Sequence, residues 1–215
     1  EEIDFYVFLE RPEKQVVIDE IIYRMECLGL TVNAICLSEV DWLTYTGPWD
    51  IAYGGLSWTF GLDNIFSLAW LVTMVNDHML HYNDTKMENL ITEFSTMNDD
   101  AVANPDIVTE EYIADMINIF QDIERRLWQK RYILPFVQWE GELPGIGTIK
   151  FTEVITMQCY KGKVFTSLHL RKALYKSIDR NVFLDYHALY NPDSVYEVYH
   201  WFQLSIFHDT TLPNH

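Results

Sequence analysis

A strand, a helix and a second strand follow one another within residues 1–37, and this order constrains the fold more than any other feature. Residues 3–9 are apolar and rich in β-formers, and residues 30–37 show strand-like alternation. Between them a helix opens at Pro12 and closes at Gly29. Its apolar stripe consists of Val17, Ile18, Ile21, Ile22, Met25 and Leu28. Because two strands joined by one helix normally lie parallel in one sheet, the order predicts an α/β fold.

Further elements are expected along the rest of the chain. The predicted strands are residues 49–53, 134–139 and 148–157. The predicted helices are a short one capped by Ser38, part of 63–79, 87–97, one capped by Thr109, one beginning at Ser167 and one over 193–207. Gly47-Pro48, residues 98–105 and residues 141–147 are predicted to be breaks or loops. The alternation of strands and helices predicts a mixed sheet flanked by helices.

The charge balance excludes some classes of partner. The 215 residues include 32 acidic and 15 basic side chains, a formal net charge of −17 at pH 7. Such a field repels nucleic acids and anionic membrane surfaces, so neither is expected as a partner. The charge is typical of a soluble surface, and it also attracts cationic solutes. The most apolar stretch, residues 65–75, is about half of a membrane span.

The sequence lacks the motifs of common enzymes and cofactor sites. It contains no G-x-S-x-G, no P-loop and no H-E-x-x-H, and Gly54-Gly55 is not part of a G-x-G-x-x-G. Cys27, Cys36 and Cys159 have no C-x-x-C spacing. The first two lie in apolar periodic segments, so we expect them to be buried thiols. We therefore expect a protein that is not an enzyme and has no cofactor.

One group of side chains has the composition of a metal site. Asp77, His78, His81 and Asp84 would place two imidazoles on one face if the segment is helical, and such a set can hold a divalent transition ion. The alternative is a polar loop after an apolar helix, and this interpretation is favoured. No bound metal is therefore expected, and a metal-dependent hydrolase that uses His78 and His81 is the least favoured function.

Residues 49–63 form the candidate ligand site. Gly54 and Gly55 allow a sharp turn or a close approach of the backbone to a ligand. Trp58 can stack on an apolar or planar solute, and Asp63 can pair with a cation or an amine. Packing of Trp58 in the core is the alternative. The candidate ligand contacts are Trp58, Asp63, Tyr53 and Gly55.

Four segments resemble, in order, motifs of one protein family. Residues 26–32 resemble an L-x-x-x-G-I-x-V unit, and residues 47–58 resemble G-x-(Y/F)-D-(I/M)-x-x-x-G-W, with one extra residue and Ser57 for the last glycine. Tyr82-Asn83 with residues 88–91 approximates Y-x-N-x-x-x-D-x-L-I, and residues 133–136 follow a long helix as (L/I)-P-(L/F). These motifs are those of the carboxy-terminal lobe of peptide/nickel-type solute-binding proteins, and the resemblance spans residues 3–139.

A fifth segment resembles the same family in a different order. Residues 165–180 are similar to its v-R-k-A-l-x-x-a-I-D-R helix, which in the family precedes the lobe that opens this chain. We therefore expect residues 1–158 to form the carboxy-terminal-lobe-like domain and residues 159–215 to be a helical segment of the other lobe. A fragment, a permuted natural protein and an engineered rearrangement all fit this order. The chain opens on Glu1 and Glu2, not on a basic signal region, so a mature or excised piece is expected.

The resemblance implies a receptor function. Family members are two-lobed α/β receptors of the periplasmic-binding-protein type, which close on a solute and deliver it to an ABC importer. The implied partners are a small-molecule or peptide ligand and the importer's permease. The implied location is extracytoplasmic, in the periplasm or at the surface of a bacterium, with membrane contact only through a lipid anchor outside this chain, as in a lipoprotein.

The same resemblance bears on the ligand and on an alternative function. The tryptophan that ends the family's strand motif commonly lines the cleft, which favours a ligand role for Trp58. Peptide-binding members usually carry an aspartate three residues later, whereas this chain has Gly61 there and reaches Asp63 two positions further on. The alternative function is a ligand-sensing or interaction domain derived from such a receptor, without a role in transport.

Overall fold

The fold is built from seven strands and six α-helices among the described residues of a computed structural model. The described residues are 1–8, 12–37, 49–58, 64–79, 81–143, 147–190, 195–200, 203 and 205–213. The strands are β1 (Glu2–Phe8), β2 (Thr31–Leu37), β3 (Ile51–Trp58), β4 (His81–Tyr82), β5 (Ile133–Leu143), β6 (Gly147–Cys159) and β7 (Val195–Glu197). The helices are α1 (Gln15–Cys27), α2 (Ile65–Met79), α3 (Thr85–Ala103), α4 (Glu110–Lys130), α5 (Leu168–Ser177) and α6 (Arg180–Ala188).

The strands form one mixed sheet in the order β2-β1-β3-β6-β5-β7, and β4 adds a short pairing to β6. β1 pairs in parallel with both β2 and β3. β6 runs antiparallel between β3 and β5, and β7 runs antiparallel along β5. The predicted α/β fold, with a mixed sheet flanked by helices, is confirmed.

The strand-helix-strand unit forms as its sequence predicts. Val17, Ile18, Ile21 and Met25 are buried on one side of α1, as its apolar periodicity requires. Gly29 closes the helix with a φ of 82°, a left-handed conformation that glycine adopts without a steric penalty.

The predicted N-cap Thr109 and the predicted helix start at Ser167 are also confirmed. The Thr109 hydroxyl accepts a hydrogen bond from the Tyr112 N–H at the start of α4. The Ser167 hydroxyl does the same for the Leu170 N–H at the start of α5. Each bond satisfies one backbone donor that the first turn of a helix leaves without a partner.

The hydrophobic core covers both faces of the central strands. Every residue from 152 to 159 of β6 is buried, although successive side chains of a strand point to opposite faces. Helices α1 and α6 contribute to this core, as do the buried stripes of α2, α3 and α4. The segment after residue 158 shares the same core, because the Phe183 ring of α6 stacks on Phe136 of β5 with centroids 4.6 Å apart. No helix of the described part is long and apolar enough to cross a membrane.

β3 continues through Gly54 and Gly55, where the sequence suggests a turn. Gly54 pairs with Val154 and Gly55 with Glu153 in the antiparallel register of β3 and β6. The ladder extends as far as Trp58, which pairs with Lys150. The prediction of a strand that ends at Tyr53 is therefore wrong, because pairing with β6 outweighs the low strand preference of glycine.

Parts of two segments predicted as loops belong to regular elements. α3 continues to Ala103, since residues 98–103 expose most of their polar side chains on the outer face of the helix. β5 extends to Leu143, which pairs with Gly147 at the start of β6. The predicted break at Gly47-Pro48 and the short helix capped by Ser38 lie outside the described residues.

The end of the chain differs from its predicted helix. Val195–Glu197 form β7, which pairs with residues 137–139 of β5. α6, by contrast, has no counterpart among the predicted elements. The open edge of β5 provides backbone partners that no local pattern reveals. Cys27 and Cys36 are exposed, contrary to expectation, because Cys27 ends α1 on its solvent side and Cys36 lies on the edge strand β2.

Candidate functional site

The carboxyl ends of β1, β2 and β3 lie toward one edge of the sheet, because the three strands are parallel. In open α/β sheets this edge is where ligands bind. β3 projects furthest: Tyr53 lies opposite Val7 of β1, and Trp58 follows five residues later, about 16 Å further along the strand. The backbone of Trp58 is therefore placed at this edge, while Asp63 lies outside the described residues.

A group of buried polar side chains lies next to this projecting part of β3, and we call it the Glu153 cluster. It comprises Glu153 of β6, Lys14 from the turn before α1, and His187 of α6. Lys14 Nζ and His187 Nε2 lie 3.5 Å and 3.7 Å from the same carboxylate oxygen, Oε1 of Glu153. All three residues are at most 5% exposed. Three ionisable groups that are far apart in the sequence thus meet in the interior.

The position of Glu153 follows from its strand partner. Gly55 lies directly opposite Glu153 in the β3–β6 register and presents no side chain on the face that they share. The Glu153 side chain and its partners therefore have room beside β3. Gly55, a predicted ligand contact, thus borders the cluster by its backbone.

Burial of the Glu153 cluster carries a desolvation cost. A buried carboxylate needs hydrogen-bond donors or cations, since removal from water costs several kcal/mol per ion. Lys14 provides one close contact to Oε1, whereas Oε2 of Glu153 has no hydrogen-bond partner among the described residues. This oxygen can accept one more hydrogen bond. A ligand N–H or ammonium group has the complementary chemistry.

Aromatic rings surround the cluster. The His187 ring stacks near Trp139 of β5 with centroids 6.1 Å apart, and it meets Tyr186 edge-on at 4.8 Å. Lys14 Nζ lies 5.0 Å from the centroid of the Tyr53 ring, within range of a cation–π interaction. The surroundings are thus aromatic walls around a few polar atoms, the composition that small-molecule sites commonly have.

Tyr53 does not occupy the open position that its predicted role as a ligand contact requires. Its side chain is completely buried, and its ring meets Phe183 edge-on at 5.9 Å. Ile51, two residues earlier on the same face of β3, is buried in the same core, so Tyr53 packs inward. In this structure Tyr53 forms the inner wall of the Glu153 cluster.

Lys14, Glu153 and His187 are not among the site residues predicted from the sequence. A signal exists for Glu153, because it is the one charged residue within the apolar run 151–157 of a predicted strand. A buried strand tolerates such a residue only with partners. Lys14 and His187 carry no comparable signal, since each is a single polar residue near or within a helix.

The metal-like group of Asp77, His78, His81 and Asp84 is not assembled on one helix. α2 ends at Met79, and His81 belongs to β4. Asp84 instead caps α3, where its carboxylate accepts a hydrogen bond from the Met87 N–H at 3.3 Å. No group of three or more His, Cys, Asp and Glu side chains within the described ranges is arranged to hold a metal ion.

Asp84 has a structural role that its partners define. It accepts hydrogen bonds from Nε and Nη2 of Arg126 and from the Tyr132 hydroxyl, each at 2.8 Å. Burial alone raises the pKa of the Asp84 carboxyl, but the hydrogen bonds from Arg126, Tyr132 and the Met87 N–H outweigh it and bring the pKa down to about 2. The carboxylate is therefore ionised and fully engaged within the fold.

Comparisons with protein-family models, with curated proteins and with solved structures found no match for this chain. The resemblance of residues 3–139 to solute-binding proteins therefore stays a sequence-based prediction. The function of the Glu153 cluster is inferred from its own geometry and charge.

Proposed function

We propose that this chain is a non-catalytic solute-binding domain that holds a small ligand at the carboxyl end of β3, beside the Glu153 cluster. Two independent features support the proposal. The α/β sheet gathers the ends of three parallel strands at the edge where ligands bind in such folds. The sequence of β3 resembles the strand motif that ends in a cleft tryptophan in solute-binding proteins, with Trp58 in that position.

The observation that carries the proposal is the buried carboxylate of Glu153. It is 4% exposed, lies opposite Gly55, and has one oxygen without a hydrogen-bond partner among the described residues. Electrostatic interactions are stronger in such an environment than in water, so a ligand ammonium or amide N–H gains affinity there. The net charge of −17 favours the approach of a cationic ligand. We infer an amine-bearing solute or short peptide.

The transport role rests on the family resemblance. We propose that the domain belongs to an extracytoplasmic receptor that presents its ligand to the permease of a bacterial ABC importer. The alternative is a ligand-sensing domain derived from such a receptor. A lipoprotein signal encoded in the complete gene would support the receptor, whereas a transmembrane or DNA-binding segment joined to this domain would support the sensor.

A ligand screen with matched variants tests the binding function. Thermal denaturation with a panel of di- and tripeptides and small diamines should identify a stabilising compound, since a ligand at 100 times its Kd adds about 2.7 kcal/mol to the free energy of unfolding. Glu153→Gln and Trp58→Ala should each weaken that ligand about tenfold or more, because a charge-assisted hydrogen bond or a stacking surface is lost.

Trp70→Ala is the matched control for the tryptophan variant. Trp70 lies on α2 and is 60% exposed, so its removal should leave the affinity unchanged. The proposal is wrong if both Glu153→Gln and Trp58→Ala fold and bind the ligand as tightly as the parent protein. Chemical conversion of the bound compound during incubation would also overturn it, because a receptor returns its ligand unchanged.

A further inference from the structure

A second concave surface lies at the other end of the sheet, between the end of α4 and the outer face of α5. It encloses a volume of about 330 Å³ and is lined by Trp128, Gln129, Arg131, Lys172, Tyr175 and Lys176. We call it the Arg131 groove. Ile133, two residues after Arg131, lies level with Thr156 of β6, three residues and about 10 Å along that strand from Glu153. The lining of the groove includes none of the three residues of the Glu153 cluster, so the groove is a separate site.

The lining of the groove is cationic and contains no acidic side chain. Arg131, Lys172 and Lys176 form no ion pair with any described residue. Other arginines of this acidic protein do have acidic partners: Arg24 pairs with Glu20 at 2.7 Å, and Arg126 pairs with Asp84 at 2.8 Å. Three uncompensated cations at one place are thus unusual in a chain with a net charge of −17.

Arg131 is held rigidly at the base of the groove. Its side chain lies between two aromatic rings, with the guanidinium carbon 4.4 Å from the centroid of Trp128 and 4.5 Å from that of Tyr175. Nη1 donates a 2.6 Å hydrogen bond to the Trp128 carbonyl oxygen. The residue is 5% exposed. Such stacking and bonding orient the guanidinium before any ligand arrives.

Two buried donors at this place have no acceptor. Among the described residues, neither Nε of Arg131 nor Nε1 of Trp128 has a hydrogen-bond partner. Buried N–H groups are rarely left in this state, because the lost hydrogen bonds to water cost about 1–3 kcal/mol each. Both groups are donors only, so an oxygen with lone pairs is the partner that they require.

The local electrostatics are those of an anion site. Burial lowers the pKa of Arg131, and the positive charge of nearby Arg180 lowers it further, although Tyr175 acts in the opposite direction. Arg180 itself lies 4.8 Å from the Tyr175 ring centroid, and its pKa is lowered chiefly by burial. The cations therefore repel one another, and a bound anion would relieve this repulsion.

We propose that the Arg131 groove binds a small anion that carries a phosphate or carboxylate group, with Arg131 and Trp128 as buried donors and Lys172 and Lys176 at the rim. An oxyanion supplies several acceptor lone pairs and a negative charge, and a guanidinium binds it in a planar geometry. The volume of about 330 Å³ suits a small molecule. This site is independent of the proposed receptor function.

Titrations with two simple anions test the site. Inorganic phosphate and citrate are added separately to the 215-residue chain at low ionic strength, and binding is followed by calorimetry and by amide chemical shifts. Saturable binding with shifts at residues 128–131 and 172–176 is expected for one anion or both. Binding of phosphate alone assigns a phosphate ligand, and binding of citrate alone assigns a carboxylate ligand. Addition of NaCl should weaken either interaction.

Two double variants and one single variant distinguish binding in the groove from the effect of the protein's overall electrostatic field. The double variant Lys172→Gln/Lys176→Gln should weaken the bound anion about tenfold. Lys86→Gln/Lys161→Gln removes the same charge from two exposed positions elsewhere and should leave the affinity nearly unchanged. Trp128→Phe keeps a ring but removes the Nε1 donor, and it should weaken the anion several-fold. Equal affinities in all these proteins, or no saturable binding of either anion, would overturn the proposal.

Discussion

Asp84 and Arg126 form a two-pronged ion pair that joins the start of α3 to the last part of α4. Nε and Nη2 of Arg126 each donate a 2.8 Å hydrogen bond, to Oδ2 and Oδ1 of Asp84 respectively. The carboxylate side chain is 4% exposed, and the same carboxylate caps α3. The Asp84 side chain thus caps the start of α3, neutralises the charge of Arg126 and fixes the position of that side chain. This arrangement gives Asp84 a structural role at the junction of the two helices.

Replacement of Asp84 by asparagine should destabilise the fold in a pH-dependent way. At neutral pH we expect a loss of about 2–4 kcal/mol, because Arg126 loses its buried partner. The folded-state pKa of about 2 lies below the ordinary value of 3.8, so the ionised carboxylate stabilises the fold above pH 4. That contribution should disappear as the pH falls from about 4 to about 2. Urea unfolding at several pH values measures it.

The control for this prediction is Asp185→Asn, because Asp185 is exposed on α6. It should change the free energy of unfolding by less than about 0.5 kcal/mol. A difference between the parent protein and Asp84→Asn that stays constant down to pH 2 would contradict the assigned role of the ion pair.

Lys14 and Glu153 should be strongly coupled in a double-mutant cycle. Lys14→Met leaves the buried carboxylate of Glu153 without its lysine partner, and we expect a cost of about 3–5 kcal/mol. Glu153→Gln combined with Lys14→Met should recover about 1–3 kcal/mol relative to the sum of the single changes. Urea unfolding of the four proteins gives the coupling energy. Additive single effects would show that the 3.5 Å contact carries no net energy.

The N-cap of α4 should contribute a measurable part of the stability. Thr109→Ala removes the acceptor of the Tyr112 N–H, and a loss of about 1 kcal/mol is expected. Thr109→Ser keeps the hydroxyl and should retain most of that energy. Thermal or urea unfolding distinguishes the two. If both variants lose the same amount, the contribution of Thr109 comes from its methyl group and not from capping.

The three cysteines should differ in reactivity. Cys27 and Cys36 are exposed, whereas Cys159 is buried and its thiol donates a 3.3 Å hydrogen bond to the Met157 carbonyl oxygen. Burial raises the pKa of Cys159 to about 11, although Arg171 lowers it in part. Since the thiolate is the reactive form, a disulfide reagent at pH 8 should label Cys27 and Cys36 in the folded protein and Cys159 only after unfolding. Rapid native labelling of Cys159, mapped by mass spectrometry, would contradict its burial.

The elements predicted correctly are those whose signals are local. The stripe of α1, the glycine at its end, the cap Thr109 and the helix start at Ser167 all depend on residues within a few positions of the backbone that they shape. Predictions failed where a distant segment supplied the partner. β3 crosses Gly54 and Gly55 because β6 pairs with it, and β7 is a strand because β5 offers an open edge.

The candidate site likewise combines features that local sequence reveals with features that depend on distant segments. Trp58 lies at the edge of the sheet, five residues beyond the end of the predicted strand, because β3 continues through Gly54 and Gly55 in its pairing with β6. Tyr53 points into the core because of the side of β3 on which it lies, and this depends on how the helices cover the sheet. Glu153 stands out in sequence as the one charged residue among residues 151–157, but its partners do not stand out.

The sequence by itself determined the α/β class, the parallel strand-helix-strand unit and the acidic surface, because periodicity, capping and charge are properties of neighbouring residues. Only the tertiary structure decided the two sites. Lys14 and Glu153 are 139 residues apart and meet because β6 enters the sheet beside β3. Arg131 and Tyr175 meet because α5 packs against the end of α4, where Arg171 donates a 2.8 Å hydrogen bond to the Lys130 carbonyl. Such contacts depend on chain topology, which local patterns do not encode.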